Sequence, residues 1–228
     1  ALDEWMSLNG IKMNQDETQL VPIGTWQQTV KNGPSFANIN DKVVEFKNNA
    51  KVLGFTIDKN LYINDHIKGL VKSCSFQLRQ LSRLKKCLNK STMITMIHSF
   101  VHSRLDYCNS LFHGVSKNEI AALQSVQNRA ARIVVGAGRF EHISLVLCDL
   151  HWLPVRKRIV FKICVLGIRC LNGLAPQYLS EMLIDRSFVT RKTGLRSDGE
   201  NLLVVPVTKL KIASRSFAVC GPGLWNGL

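Results

Sequence analysis

The spacing of hydrophobic positions changes once along the chain, near residue 65. Before that point, short runs rich in β-branched and aromatic residues predict β-strands. These strands are expected at residues 19–23, 43–46 and 51–57, with a weaker alternation at 10–13. After it, apolar residues recur at steps of three and four, which predicts amphipathic helices. The pattern therefore indicates an α+β protein, with a small β-rich front followed by a mainly helical remainder.

Local signals set the expected limits of the helices in the second part. Ser116 and Glu119 have the spacing of a capping box, and Pro154 suits the first turn of a helix. The longer helices are expected at about residues 65–88, 91–105, 117–133 and 154–171. A short helix at 178–183 and possible strands at 202–207 and 216–219 complete the expected elements.

Charge is divided between the same two parts of the chain. The 228 residues carry a formal net charge of +14, yet residues 1–70 hold seven Lys and Arg against eight Asp and Glu. The whole basic excess therefore follows position 70. Such an excess favours a polyanionic partner, with nucleic acid preferred over a membrane surface.

The basic residues form stripes on two of the expected helices. At about 100° per residue, four cations of the first long helix fall within roughly 60° on the side opposite its apolar residues. A fifth joins them if that helix continues, and three more share one side of the helix after Pro154. Cations on successive turns can follow phosphates, although a solvated helix face is the alternative. The predicted nucleic-acid contacts are Lys72, Arg79, Arg83, Lys86, Lys90, Arg158, Lys162 and Arg169.

Other kinds of site find little support. His98 and His102 have a spacing that can bind a metal, but no third ligand is evident, so no metal site is expected. No nucleophile motif, phosphate-binding loop or hydrophobically flanked carboxylate pair is found, so no catalytic residue or bound cofactor is expected. Seven cysteines without a CxxC pair indicate reduced thiols in an intracellular protein, nuclear or cytoplasmic. The run 159–171 is too short to span a bilayer, and the opening residues lack a signal-peptide pattern.

Four sequence strings are distinctive in combination. They are SRLDYCNSL at 103–111, LQSVQNRAAR at 123–132, LHWLPVRKRI at 150–159, and SRSFAV at 214–219 with GPGLWN at 221–226. Together they resemble the C-terminal part of a non-LTR retrotransposon reverse transcriptase of the jockey and chicken-repeat type.

The front of the chain fits the same resemblance. Residues 5–14 resemble the palm end that follows the catalytic Asp-Asp motif, and 51–58 resemble the primer-grip hairpin, with Leu53, Gly54 and Phe55 at its centre. Asp65 would open the thumb. The implied domains are 1–63 (palm end and primer grip), 64–135 (helical thumb-like region) and 136–228 (helical and irregular C-terminal region).

The resemblance implies that this chain is a fragment of an RNA-directed DNA polymerase. The parent would use Mg²⁺ held by aspartates that precede Ala1, and Glu17 stands where the family usually has Lys. The missing initiator Met likewise indicates a segment of something longer. Such a fragment would contribute RNA and DNA template–primer binding without polymerising, and without a membrane or small-molecule substrate.

Two alternatives belong to other functional classes. One is a catalytically inert nucleic-acid-binding module. The other is a protein–protein scaffold that makes contacts through Trp152, Trp225 and the aliphatic helices.

Overall fold

The structure is a computed structural model that divides into two compact units, residues 1–66 and 67–228. It describes residues 2–12, 14, 17–24, 36–39, 42–138, 140–188, 202–210 and 212–228. Small antiparallel sheets lie in the first unit and helices dominate the second, so the predicted α+β class is confirmed. The expected further boundary at residues 135 and 136 stays a prediction.

The first unit contains a short helix and two separate β-hairpins within its described residues. These elements are α1 (Leu2–Leu8), β1 (Phe36–Ile39) paired with β2 (Lys42–Glu45), and β3 (Asn49–Val52) paired with β4 (Phe55–Asp58). In the expected segment 19–23, Leu20 alone forms a bridge, parallel to Phe46. Residues 10–12, where a weaker alternation is expected, form no strand, and residue 13 lies outside the described residues.

The single strand expected at residues 51–57 is wrong, because the chain reverses direction within it. Val52 pairs with Phe55, which leaves Leu53 and Gly54 as a two-residue turn with φ angles of 47° and 84°. Two positive φ values are typical of a type I′ hairpin turn, which usually carries Asn or Gly at its first position. Leucine at that position explains why the hydrophobic pattern missed the turn, although the resemblance to a primer-grip hairpin implies one at residues 51–58.

The hairpin orients its central residues in opposite ways. Leu53 is 87% exposed at the tip, whereas Phe55 is buried and stacks on His66 with 4.0 Å between ring centroids. The Thr56 backbone N–H donates to His66 Nδ1 at 3.3 Å. Burial, and then the charge of Lys51, lowers the pKa of His66 and so favours the neutral ring that accepts this bond.

The second unit is built mainly from helices. Its α-helices are α2 (Asn64–Leu84, which begins in the first unit), α3 (Lys90–Ile97), α4 (Ser103–Asp106), α5 (Lys117–Val135), α6 (Ser144–Asp149), α7 (Val155–Leu171), α8 (Gln177–Ser180) and α9 (Phe217–Trp225). A π-helical segment, His98–His102, joins α3 to α4, and 3-10 turns occur at Asn109–Phe112, Arg186–Phe188 and Ala213–Arg215.

Helices α5 and α7 form the centre of this unit. Helix α7 contacts α5, α8, α9 and the turn at 109–112, while α5 also contacts α3 and α6. Fully buried apolar side chains fill the space between the elements, including Leu78, Ile97, Leu123, Val126 and Ile163. This apolar core is the main source of stability, at roughly 25 cal/mol per Å² of buried apolar area.

The first long helix is shorter than its hydrophobic pattern predicts. It ends at Leu84, because Asn89 takes an extended conformation and its side chain accepts the Thr92 N–H at 2.8 Å to cap α3. Lys86 therefore lies in the connecting turn and Lys90 begins α3, so placing either of them on the first helix is wrong. The capping box at Ser116 and Glu119 is confirmed.

The strands expected near the end of the chain are wrong. Between 202 and 207 the backbone forms only an isolated bridge, Leu203 to Asp185, and the Asn226 side chain bonds both backbone groups of Leu203 at 2.9 Å. Residues 217–219 open α9, with Ser216 as the preceding cap residue. Short apolar runs are compatible with either a helix or a strand, and here packing on α7 favours the helix.

All seven cysteines are unpaired, as the sequence indicates. Cys74 is buried on α2, and burial raises the pKa of its thiol to about 11. A thiol with so high a pKa remains protonated near neutral pH and is a poor nucleophile. Among the described helices, none combines the length and apolar character that a membrane span needs.

Replacing Gly114 by Ala should destabilise the protein more than replacing Gly173. Both glycines have positive φ, 74° at Gly114 and 67° at Gly173. A Cβ at Gly114 would lie 2.7 Å from Arg215 Cγ, whereas a Cβ at Gly173 would have no neighbouring atom within 4 Å among the described residues. Arg215 is fixed there by donating to the Leu111 and His113 carbonyls. We expect losses of about 2–4 kcal/mol for G114A and about 1 kcal/mol for G173A in urea unfolding. Equal losses would show that the Arg215 side chain moves aside freely.

Candidate nucleic-acid interface

Helix α2 separates its apolar and cationic residues onto opposite sides. Cys74, Leu78 and Leu81 are buried, whereas Lys72, Arg79 and Arg83 are exposed. We call these three exposed residues the α2 ridge. Helical geometry places them within about 40° of one another, over roughly 16 Å of axis. No carboxylate among the described residues lies within 4 Å of their charged nitrogens, so the ridge keeps its positive charge.

A groove of about 610 Å³ lies between α2 and α5, beside this ridge. We call it the arginine groove, and it is lined by Leu78, Arg79, Ser82, Ser125, Arg129, Arg132 and Ile133. The lining has three guanidinium groups, two hydroxyls and no carboxylate. Guanidinium groups match phosphate geometry, since each presents a planar set of five N–H donors.

Two of the three guanidiniums are held in place by the protein. Arg129 Nη1 donates to Ser75 Oγ at 3.1 Å, and Arg132 donates to the Gly138 and Glu141 carbonyls at 3.2 and 3.3 Å. These partners are neutral, so they orient the side chains without cancelling their charge. Each guanidinium retains N–H groups that can donate to an anion.

The positive charge continues to the carboxyl end of α5. That helix ends at Gly136, whose φ of 79° suits glycine. The Lys85 ammonium lies beside Gly136, about 3.0 Å from where a Cβ would stand. A cation at this end of the helix interacts favourably with the helix dipole.

Arg129 and Arg132 were not among the residues predicted from sequence, although both belong to the string 123–132. Their signal is nevertheless present, because Ser125, Arg129 and Arg132 follow a spacing of four and three on one face of α5. That spacing becomes informative only once α2 is known to pack beside the same face.

The stripe expected on the fourth long helix is only partly present. Lys162 and Arg169 are exposed on α7, but Arg158 Nη1 lies 2.5 Å from Asp106 Oδ2 and its side chain is only 17% exposed. Arg158 Nε also donates to the Leu153 carbonyl at 2.9 Å. The expectation that Arg158 presents a free cation is therefore wrong. Its charge neutralises a partly buried carboxylate that lies 52 positions earlier in the chain.

The string 123–132 joins the start of α7 through amide side chains. Gln127, which is fully buried, donates to the Leu153 carbonyl at 2.8 Å and accepts from Gln124 at 2.9 Å. Gln124 in turn accepts the Val155 N–H at 2.9 Å. With the Asp106–Arg158 pair, these bonds hold three of the four distinctive strings together, so these particular side chains have structural roles.

His98 and His102 pack against Trp152 within the same region. The Trp152 indole N–H donates to His98 Nε2 at 3.2 Å, and the His102 ring meets the indole edge-to-face with 4.3 Å between centroids. Burial, and then the charge of Arg158, lowers the pKa of His102 to about 3. No group of three potential metal ligands occurs among the described residues. Both imidazole rings therefore pack against the Trp152 indole.

Comparisons with known proteins do not extend this description. No family model, curated protein or solved structure matches the chain. Interpretation of the site therefore depends on its own residues.

Acid should destabilise the protein through His102. The pKa of His102 is about 3 in the folded state and 6.5 in the unfolded state. Between pH 3 and pH 6.5 the imidazole is therefore protonated in the unfolded protein and neutral in the folded protein. Stability that is fully present above pH 6.5 should fall as the pH drops, by about 1.4 kcal/mol per pH unit for this group. Urea unfolding between pH 7 and pH 5 measures the slope, and H102Q should reduce it.

The matched control for that experiment is His142→Gln. His142 is an exposed histidine, so the slope measured for H142Q is the baseline against which the effect of H102Q is compared. The interpretation is contradicted if H102Q retains the wild-type slope.

Proposed function

We propose that residues 67–228 bind nucleic acid through its sugar–phosphate backbone, at the α2 ridge and the arginine groove. The single observation that carries this proposal is the arginine groove, where three guanidiniums line one cavity without a carboxylate. Two of them are oriented before any ligand arrives, which reduces the side-chain entropy lost on binding.

The ridge and the groove share Arg79, so they form one continuous cationic surface. Contacts of this kind read the phosphate backbone and supply affinity without base specificity. Such binding releases counterions and weakens steeply as salt concentration rises.

The four sequence strings support a more specific assignment. We infer that the chain is the palm end, thumb and C-terminal region of a non-LTR retrotransposon reverse transcriptase, contributing template–primer binding. In that parent, Mg²⁺ and catalytic aspartates would lie outside this chain. The seven unpaired cysteines are consistent with the intracellular setting that we propose for it.

The salt dependence of binding tests the proposed surface. Replacing Arg79 and Arg83 together by Gln should flatten the slope of log K against log salt by about 1.8 on duplex DNA, at about 0.9 per phosphate contact. Fluorescence anisotropy with a labelled duplex, repeated over a range of NaCl concentrations, measures this slope.

Lys117→Gln combined with Lys209→Gln is the control, since both lysines are exposed and lie outside the ridge and the groove. This variant removes the same amount of charge and should retain a slope close to wild type. Equal flattening by both variants would indicate attraction by net charge alone. Binding that is insensitive to salt would favour the protein–protein scaffold.

A further inference from the structure

A second, smaller depression lies between the end of α4 and the exposed side of α7. Its volume is about 290 Å³, and its wall includes Asp106, His151, Leu153, Arg158, Phe161 and Lys162. Binding pockets for small ligands commonly occupy roughly 300–1,000 Å³, so this one suits a ligand the size of a single base. All of these residues belong to the second unit.

One wall of the depression is a fixed hydrogen-bond acceptor. The Asp106 side chain remains 42% exposed although Arg158 holds one of its oxygens at 2.5 Å. Asn109 donates to the other oxygen at 3.3 Å. An ionised carboxylate offers about four acceptor positions, so positions remain for a ligand amine. Arg158 and Asn109 hold the Asp106 carboxylate in place and leave some of its acceptor positions available for a ligand.

Helix α7 supplies an aromatic surface and a cation to the same depression. Phe161 is 60% exposed, and Lys162, the next residue, is exposed as well. The charges of Asp106 and Arg158 cancel, so Lys162 gives the residues that line the depression a net charge of one positive unit. That charge complements one phosphodiester group.

We propose that this depression binds one unstacked base of a single-stranded nucleic acid. The base stacks on Phe161, its exocyclic amino group donates to Asp106, and the neighbouring phosphate lies at Lys162. Proteins commonly recognise unpaired bases by this combination of aromatic stacking and hydrogen bonding to the base edge. The inference rests on the proposed function and adds a preference for bases that carry an amino group.

Cytosine and uracil oligonucleotides test the acceptor wall. The two bases have the same ring size, but cytosine presents an amino donor where uracil presents a carbonyl oxygen. In fluorescence anisotropy with the full chain, labelled oligo(C) should bind at least about fivefold more tightly than oligo(U) of equal length, since one such contact contributes about 1–3 kcal/mol.

Variants of Phe161 test the aromatic wall. Phe161→Ala should weaken oligo(C) binding about fivefold or more, because stacking on one base contributes about 1–3 kcal/mol. Phe161→Tyr retains a ring and should restore the affinity. Tyr178→Ala is the matched control, since Tyr178 is an aromatic residue of similar exposure, 63%, on α8, and its loss should change nothing.

The outcomes separate this inference from the proposed function. If the wild-type chain binds neither oligonucleotide in a salt-dependent way, the proposed function fails. If it binds both, with the slope flattened by the Arg79 and Arg83 replacements, the proposed function stands. Equal affinity for oligo(C) and oligo(U), or wild-type affinity in F161A, then overturns the base pocket alone. The alternative occupant of the depression is an acidic side chain of a partner protein. If that side chain binds there instead of a base, oligo(C) and oligo(U) should bind equally and F161A should retain wild-type affinity.

Discussion

Two amide side chains of α5, Gln124 and Gln127, fix the start of α7. Gln127 is fully buried and donates to the Leu153 carbonyl, while Gln124 accepts the N–H of the buried Val155. Removing Gln124 would leave the Val155 N–H unpaired, at a cost of about 1–3 kcal/mol, whereas the Leu153 carbonyl also accepts from Arg158. The amides therefore specify where α7 begins, and so determine where Phe161 and Lys162 lie. The geometry of the second depression therefore depends on Gln124 and Gln127, which do not line it.

The cations of the second unit divide into two groups with different roles. Some are bound to the protein, as Arg158 is to Asp106 and Arg104 is to Ser73, and these join elements that are distant in sequence. Others, on the α2 ridge, face solvent, with no acid close by in the part of the chain that the structure describes. Self-repulsion among such groups opposes folding, and a bound polyanion relieves it. The same cations that lower the stability of the free protein would therefore raise its affinity for a polyanion.

Much of the helical unit could be predicted because its helices carry explicit signals at their ends. Helix α5 has a capping box at Ser116 and a glycine at position 136, and both ends were located closely. The strand pattern missed the turn of the hairpin at residues 49–58, because leucine occupies a turn position that favours Asn or Gly, whereas the resemblance to a primer grip implies a hairpin there. The role of Arg158 was hidden for a different reason: charge periodicity along one helix contains no information about an acid on another. The arginine groove required the packing of two helices, which no single helix reveals.

The π-helical segment His98–His102 sets the direction in which α4 faces. Here the Ser103 N–H donates to the carbonyl of His98, five residues back, so one wide turn separates α3 from α4. Helix α3 then faces α5, and α4 faces α7. The wide turn holds one residue more than an α-helical turn, and each residue turns an α-helix by about 100°. If the same residues formed an ordinary α-helix, Asp106 would rotate away from Arg158, so the pairing of these two side chains requires the wide turn.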